Sequence, residues 1–133
     1  MTGPHSLTVG PLLLLSLAAL SCGSSRQLQS VKIDPATASG HAQFTATGTF
    51  SKPPSPAQLT SKDVLWCMGS SDGQCVGNAN PGGSVDQNGL AQCLPFFTGT
   101  AFVLAGKAIK DPSPMPDEGP KMNVFGSAQL TCP

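Results

Sequence analysis

Short runs that alternate between apolar and polar residues dominate the chain after residue 28. The clearest lies at residues 43–50, where Phe44, Ala46, Gly48 and Phe50 share one face and threonines occupy the other. An alternation of period two is typical of a half-buried β-strand. No stretch after residue 28 has the apolar period of an amphipathic helix, so the pattern predicts an all-β domain.

Further short runs are separated by glycine, proline and serine. They predict strands at residues 31–33, 64–66, 90–93, 100–109 and 124–131. Asn88-Gly89 predicts a hairpin turn before residues 90–93, because both residue types tolerate positive φ. Residues 100–109 are apolar on both faces, as in a central strand. About seven short strands in about 100 residues are typical of an immunoglobulin-like Greek-key sandwich.

The first 21 residues predict an export signal. Their apolar run, residues 12–20, would rise only about 14 Å as a helix, which is too short to span a bilayer. Residues 19–23, Ala-Leu-Ser-Cys-Gly, resemble a bacterial lipobox, in which Cys22 is lipidated after cleavage. The alternative is ordinary secretion as a soluble or periplasmic protein, because Ala19 and Ser21 also suit the general signal peptidase.

The cysteine count favours lipidation over plain secretion. Five cysteines are an odd number, and an exported protein rarely keeps a spare thiol. Taking Cys22 as the lipid carrier leaves four cysteines for two disulfide bonds. We therefore expect a signal peptide at 1–21, a lipidated tether at 22–28, and one domain at 29–133. Gly23 after the lipidated cysteine favours anchoring in the outer membrane.

Composition narrows the range of functions. Seven Lys and Arg balance seven Asp and Glu, so there is no excess of positive charge for nucleic acid. No Cys-x2-Cys pair occurs, and an oxidising compartment favours disulfides over zinc, so we expect no metal and no cofactor.

Several separated blocks resemble the bacterial Ig-like domain, group 2. They are residues 43–50, 59–61, 64–66, 88–91, 99–101 and 126–132. Their order and spacing cover residues 28–132. The resemblance implies an Ig-like sandwich in a cell-surface setting and carries over no catalytic residue. Departures from the family pattern are the single copy, the cysteine-bearing loop after Trp66 and the Pro-rich insert before the last strand.

The topology of that family implies a disulfide pairing. It places all four mature cysteines at one end of the sandwich. We expect Cys67–Cys75 to close a local loop and Cys93–Cys132 to tie the end of the last strand to the entry of a neighbouring strand. The start of the first strand and the loops at 51–56 and 110–121 would then lie at the other end, facing the membrane.

No residue suggests catalysis. His41 has no nucleophile or carboxylate at triad spacing and is expected at the surface. Asp117 and Glu118 are adjacent, so they cannot act as opposed acid and base. The remaining oxygen-bearing side chains are explained by Asx turns better than by a calcium loop. They are Asp72, Asn78, Asn80, Asp86 and Asn88.

Phe96 and Phe97 have two interpretations. Neighbouring side chains in an extended segment point opposite ways, so at most one ring easily enters the core. The outward ring either covers a disulfide or forms part of a contact patch for a partner.

Together these features predict a non-catalytic exported lipoprotein, monomeric and held to the membrane by its N-terminal lipid. Its domain would be a structural or adhesive module of the cell envelope. The alternative is a module that binds an envelope glycan or protein through Phe96 and Phe97.

Overall fold

A computed structural model of the chain describes residues 25–76, 82–109 and 118–133. All regular secondary structure in these ranges is β. The strands are β1 (Leu28–Asp34), β2 (Thr37–Ser39), β3 (His41–Gln43), β4 (Thr45–Phe50), β5 (Ala57–Gln58), β6 (Leu65–Gly69), β7 (Gln74–Val76), β8 (Gly83–Val85), β9 (Leu90–Cys93), β10 (Gly99–Ile109) and β11 (Glu118–Cys132).

The strands form three sheets in a sandwich-like arrangement. Two of them, in the orders β1-β4-β5 and β3-β9-β8, adjoin because Phe44 alone separates β3 from β4. The third has the order β10-β6-β7-β11-β2, and β10 also pairs with β11 along its whole length. The all-β prediction is confirmed, and so are the hairpin at 86–89 and the strands predicted from alternation.

The main core lies between these sheets. Phe44, Val103 and Leu130 are completely buried in it, and Trp66 is 4% exposed. Trp66 and Met68 lie opposite Ala105 and Val103 in the register of β6 and β10, so large side chains sit beside smaller ones. Because large side chains lie beside small ones, the layers can interdigitate at the density of a protein interior.

The chain changes partner after β1. Residues of β1 pair antiparallel with β4, whereas β2 pairs parallel with the end of β11. Pro35 lies between these two strands and cannot donate a ladder hydrogen bond, which ends β1 there. The first segment of the domain is thereby hydrogen-bonded to sheets on both sides of the core.

Strand β10 is buried on both faces, as its apolar sequence predicts. Val103 faces the main core, while Leu104 belongs to a second cluster with Cys75 and Met122. Strand β7 pairs with β6 at Gly69 and with the start of β11, and so closes over this second cluster. We call residues 70–76 the β7 flap. The outer face of β10 is therefore covered by the β7 flap and the Cys67–Cys75 disulfide, and not by another sheet.

Candidate functional site

The strongest candidate for a contact site is the turn after β9. Phe97 N–H donates to the Leu94 carbonyl at 3.3 Å, with Pro95 and Phe96 at the two central positions. Phe96 has φ 67°, where a turn with proline at its first central position normally carries glycine or asparagine. Its side chain is 105% exposed, so no core packing compensates for this backbone conformation.

Phe97 points the other way and packs on the domain. Its ring lies so close to Gly82 that a Cβ added there would be 2.5 Å from the ring edge. It packs against the main core, in which Cys132 is buried, beside Cys93. One ring therefore enters the core and the other points out, as the sequence predicts. The outward ring is that of Phe96, which is wholly exposed and therefore covers neither disulfide.

Both predicted disulfides are present. Cys93–Cys132 joins the end of β9 to the end of β11, with 5.7 Å between the two Cα atoms. Cys132 lies opposite Gly99, and Cys93 opposite Gly83. We call the region around this bond and the Phe96 turn the disulfide end. Segments 37–43, 82–85, 90–101 and 129–133, which build it, contain no Lys, Arg, Asp or Glu.

The expectation that all four cysteines share one end is wrong. Cys67 lies opposite Leu104, five residues along β10 from Gly99, or roughly 17 Å at the rise of a strand. Cys75 contacts Gly119 at the start of β11. The reason is that β6 continues to Gly69 and the flap then turns back over the outer face. The bond Cys67–Cys75 thus belongs to the flap and not to the Phe96 turn.

The acidic residues of the loops act as turn caps. The Asp72 carboxylate accepts hydrogen bonds from Ser70 Oγ and from Gln74 N–H, and these bonds, the Ser70 bond first, lower the pKa of Asp72 below its usual value. Asp86 Oδ1 accepts from Asn88 N–H at 2.8 Å and Leu90 N–H at 3.0 Å. Asx turns account for both residues.

Other residues singled out in the sequence are not gathered into a site. His41 is exposed on β3, opposite Gln92, and Glu118 is exposed at the start of β11. The described ranges hold no group of three or more His, Cys, Asp or Glu placed to bind a metal ion. The other singled-out residues lie outside the described ranges. They are Cys22, Asn78, Asn80 and Asp117.

A pocket beside Trp66 is small and uncharged. Its volume is about 210 Å³, below the range of about 300–1,000 Å³ usual for drug-sized ligands. Gln87 on its rim accepts from Trp66 N–H at 3.1 Å and donates to the Trp66 carbonyl at 3.0 Å. The Gln87 amide is thus used to satisfy the backbone of β6, and we assign this pocket no ligand.

Sequence reasoning missed one cluster of side chains. Arg26, Lys62 and Lys107 line a cleft of about 180 Å³, which we call the basic cleft. The three residues come from distant parts of the chain, so no spacing in the sequence signals them. Lys107 is eight residues from Gly99 along β10, which places the basic cleft at the end of the domain opposite the disulfide end.

Comparisons with known proteins give no family assignment. No family model matches the chain, and no curated protein is significantly similar to it. Among the described residues, no helix is long and apolar enough to cross a membrane.

Proposed function

We propose that this chain is a non-catalytic exported lipoprotein, whose single domain is a structural or adhesive module of the cell envelope. The observation that carries the proposal is the use of cysteines. Four of the five form two disulfides with one another, which leaves Cys22 in its lipobox-like context without a partner in the chain. Disulfides persist in oxidising compartments outside the cytoplasm.

The immunoglobulin-like assignment is part of this proposal. Its support is the switch of the first segment, from antiparallel pairing with β4 to parallel pairing with β11. The pairing of β6, β10 and β11 as neighbouring strands also fits that topology.

Intact-mass spectrometry of the protein purified from membranes tests the anchor. We expect a chain that begins at Cys22 and carries the added mass of acyl chains. The variant Cys22→Ser should lose both the added mass and the membrane association, whereas Ser24→Ala should keep both. An unacylated wild-type protein in the soluble fraction would favour secretion instead.

A second function is favoured by Phe96. An aromatic ring that is wholly exposed on a strained backbone position is a candidate contact for an envelope glycan or protein. A glycan array and a pull-down from envelope extracts should then yield a ligand retained by wild type. Phe96→Ala should lose that ligand, and Ile109→Ala, which removes another exposed apolar side chain, should keep it.

The absence of catalysis is proposed on the lack of a suitable constellation in the described residues. A panel of hydrolase substrates should show no turnover. Any activity that disappears in His41→Ala would contradict this part of the proposal.

A further inference from the structure

The basic cleft brings cations together from three separate segments. Arg26 precedes β1, Lys62 lies in the loop before β6, and Lys107 is near the end of β10. Leu28 and Phe50 supply its apolar walls. The three cations come together only in the folded domain. The basic cleft is therefore not a run of basic residues in the sequence.

The guanidinium of Arg26 is held in a fixed position. Its Cζ lies 3.4 Å from the centroid of the Phe50 ring. Its Nε donates to the Lys52 carbonyl at 3.3 Å, and Nη2 donates to the Pro54 carbonyl. A guanidinium has five N–H donors, so these two bonds leave donors for a ligand while they reduce the entropy lost on binding.

Among the described residues that line the cleft, positive charges outnumber negative ones. Asp63 is the only carboxylate among the lining residues that the structure describes. Its Oδ2 accepts from Thr60 N–H at 2.8 Å and from Thr60 Oγ1 at 3.1 Å. The one ion pair within 4.0 Å in the described part of the chain is Lys32–Asp34, which lies elsewhere on β1. Three cations and one carboxylate leave an excess of positive charge that attracts an anion.

We propose that the basic cleft binds the phosphate of anionic phospholipid headgroups, an inference that rests on the proposed lipid anchor at Cys22. Arg26 follows Cys22 by four positions in the sequence, so the Cα atoms of Cys22 and Arg26 are at most about 14 Å apart. Arg and Lys bind phosphate oxygens through charge-assisted hydrogen bonds. The acyl chains would thus fix the end of the chain, and the basic cleft would hold this end of the domain against the headgroups.

Lysine acetylation of the membrane form tests the cleft. The purified protein is reconstituted in vesicles of phosphatidylcholine alone, or of phosphatidylcholine with phosphatidylglycerol, and modified lysines are quantified by mass spectrometry. We expect acetylation of Lys62 and Lys107 to fall severalfold in the anionic vesicles and to recover at high salt. Lys32, exposed on β1 away from the cleft, is the internal control and should react equally in both.

Three outcomes would overturn the proposal. They are equal protection of Lys32 and the two cleft lysines, no protection in anionic vesicles, and the same protection in neutral vesicles. A further arm adds inorganic phosphate to neutral vesicles at matched ionic strength. Protection by phosphate there, without protection by phosphatidylglycerol, would make the cleft a site for a soluble anion and contradict the membrane role.

A vesicle sedimentation assay tests phospholipid binding by the basic cleft independently of lipidation at Cys22. Unacylated Cys22→Ser protein is added to preformed anionic vesicles, with the cleft variant Lys62→Gln and the charge-matched control Lys32→Gln made in that background. Each lysine near an anionic surface contributes about a fivefold factor in partitioning, so the cleft variant should bind roughly fivefold less and the control unchanged. Equal losses in both variants would refute the cleft, whatever mass spectrometry shows at Cys22.

Discussion

Two glycines show how much one methyl group matters in this domain. Gly89 and Gly40 both have positive φ, 83° and 69°. A Cβ on Gly89 would overlap the Phe44 carbonyl oxygen and come within 3.0 Å of the Trp66 ring, whereas a Cβ on Gly40 would meet nothing within 4 Å. The two positions therefore separate backbone strain from steric overlap.

We expect Gly89→Ala to lower the free energy of unfolding by about 3 kcal/mol, the sum of left-handed strain and overpacking. Gly40→Ala should lower it by only about 1 kcal/mol, through strain alone. Urea denaturation of the two variants measures the difference. Equal losses would mean that the hairpin moves away from Phe44 without resistance.

Phe96 presents the opposite case, a large side chain where glycine is favoured. Phe96→Gly should raise the free energy of unfolding by about 0.5–1 kcal/mol, because relief of the positive φ exceeds the entropy that glycine loses on folding. Phe96→Leu keeps a Cβ and should leave stability unchanged. Thermal denaturation detects the gain as a rise of a few degrees in Tm. A loss of stability in Phe96→Gly would reveal a packing role for the ring.

At the scale of elements, the strands that alternation predicts are those that pack on the main core. Residues 43–50 are an example, since Phe44 and Ala46 are buried in it. Strand β7 was not predictable, because Gln-Cys-Val is too short to show a period. Its position depends on contacts distant in sequence, such as Met122 N–H donating to the Gly73 carbonyl at 2.9 Å. The resemblance to a known family predicted the disulfide pairing, but it wrongly placed Cys67–Cys75 at the same end of the domain as Cys93–Cys132.

The two disulfides should differ in their contribution to stability. They span 8 and 39 residues of sequence. In the chain-entropy model, removing Cys67–Cys75 costs about 2.5 kcal/mol and removing Cys93–Cys132 about 4 kcal/mol. Paired alanine variants, compared by guanidinium denaturation, test this order.

Hydrogen exchange distinguishes local from global effects in the same variants. Loss of Cys67–Cys75 should accelerate exchange at Met122, beneath the β7 flap, and leave β9 protected. Uniform acceleration throughout the domain would contradict a local role for this bond.

At the scale of the whole molecule, charge is segregated between the two ends. The disulfide end is built from uncharged segments, and Arg26, Lys62 and Lys107 meet at the other. Neutral overall charge conceals this polarity, which arises only when the fold joins residues about 35 to 80 positions apart. Overall composition therefore gave no sign of the basic cleft.

This polarity predicts the orientation of an anchored molecule. A fluorophore on a cysteine at Ser61, beside the basic cleft, should be quenched strongly by a quencher placed in the lipid headgroups. One at Phe96 should be quenched least, because eight residues of β10 separate the two ends by roughly 27 Å. Ser127, opposite Leu104 midway along β10, should give an intermediate value. Equal quenching at the three positions would contradict a fixed orientation.

The short outer strands bear on how many copies can crowd together. Strands β2 and β8 have three residues each, and β5 has two. A strand this short offers a neighbouring copy few unpaired backbone groups, so it is a poor template for joining two sheets edge to edge. The longer edge strand β1 has seven residues, but it carries the charged Lys32 and Asp34 and a register shift between Leu28 and Ser30, which also oppose such pairing. Proteins confined to a surface meet their own kind far more often than proteins in free solution. With sheet edges of this kind, closely spaced copies of this domain on a surface would remain separate molecules and would not join into fibres.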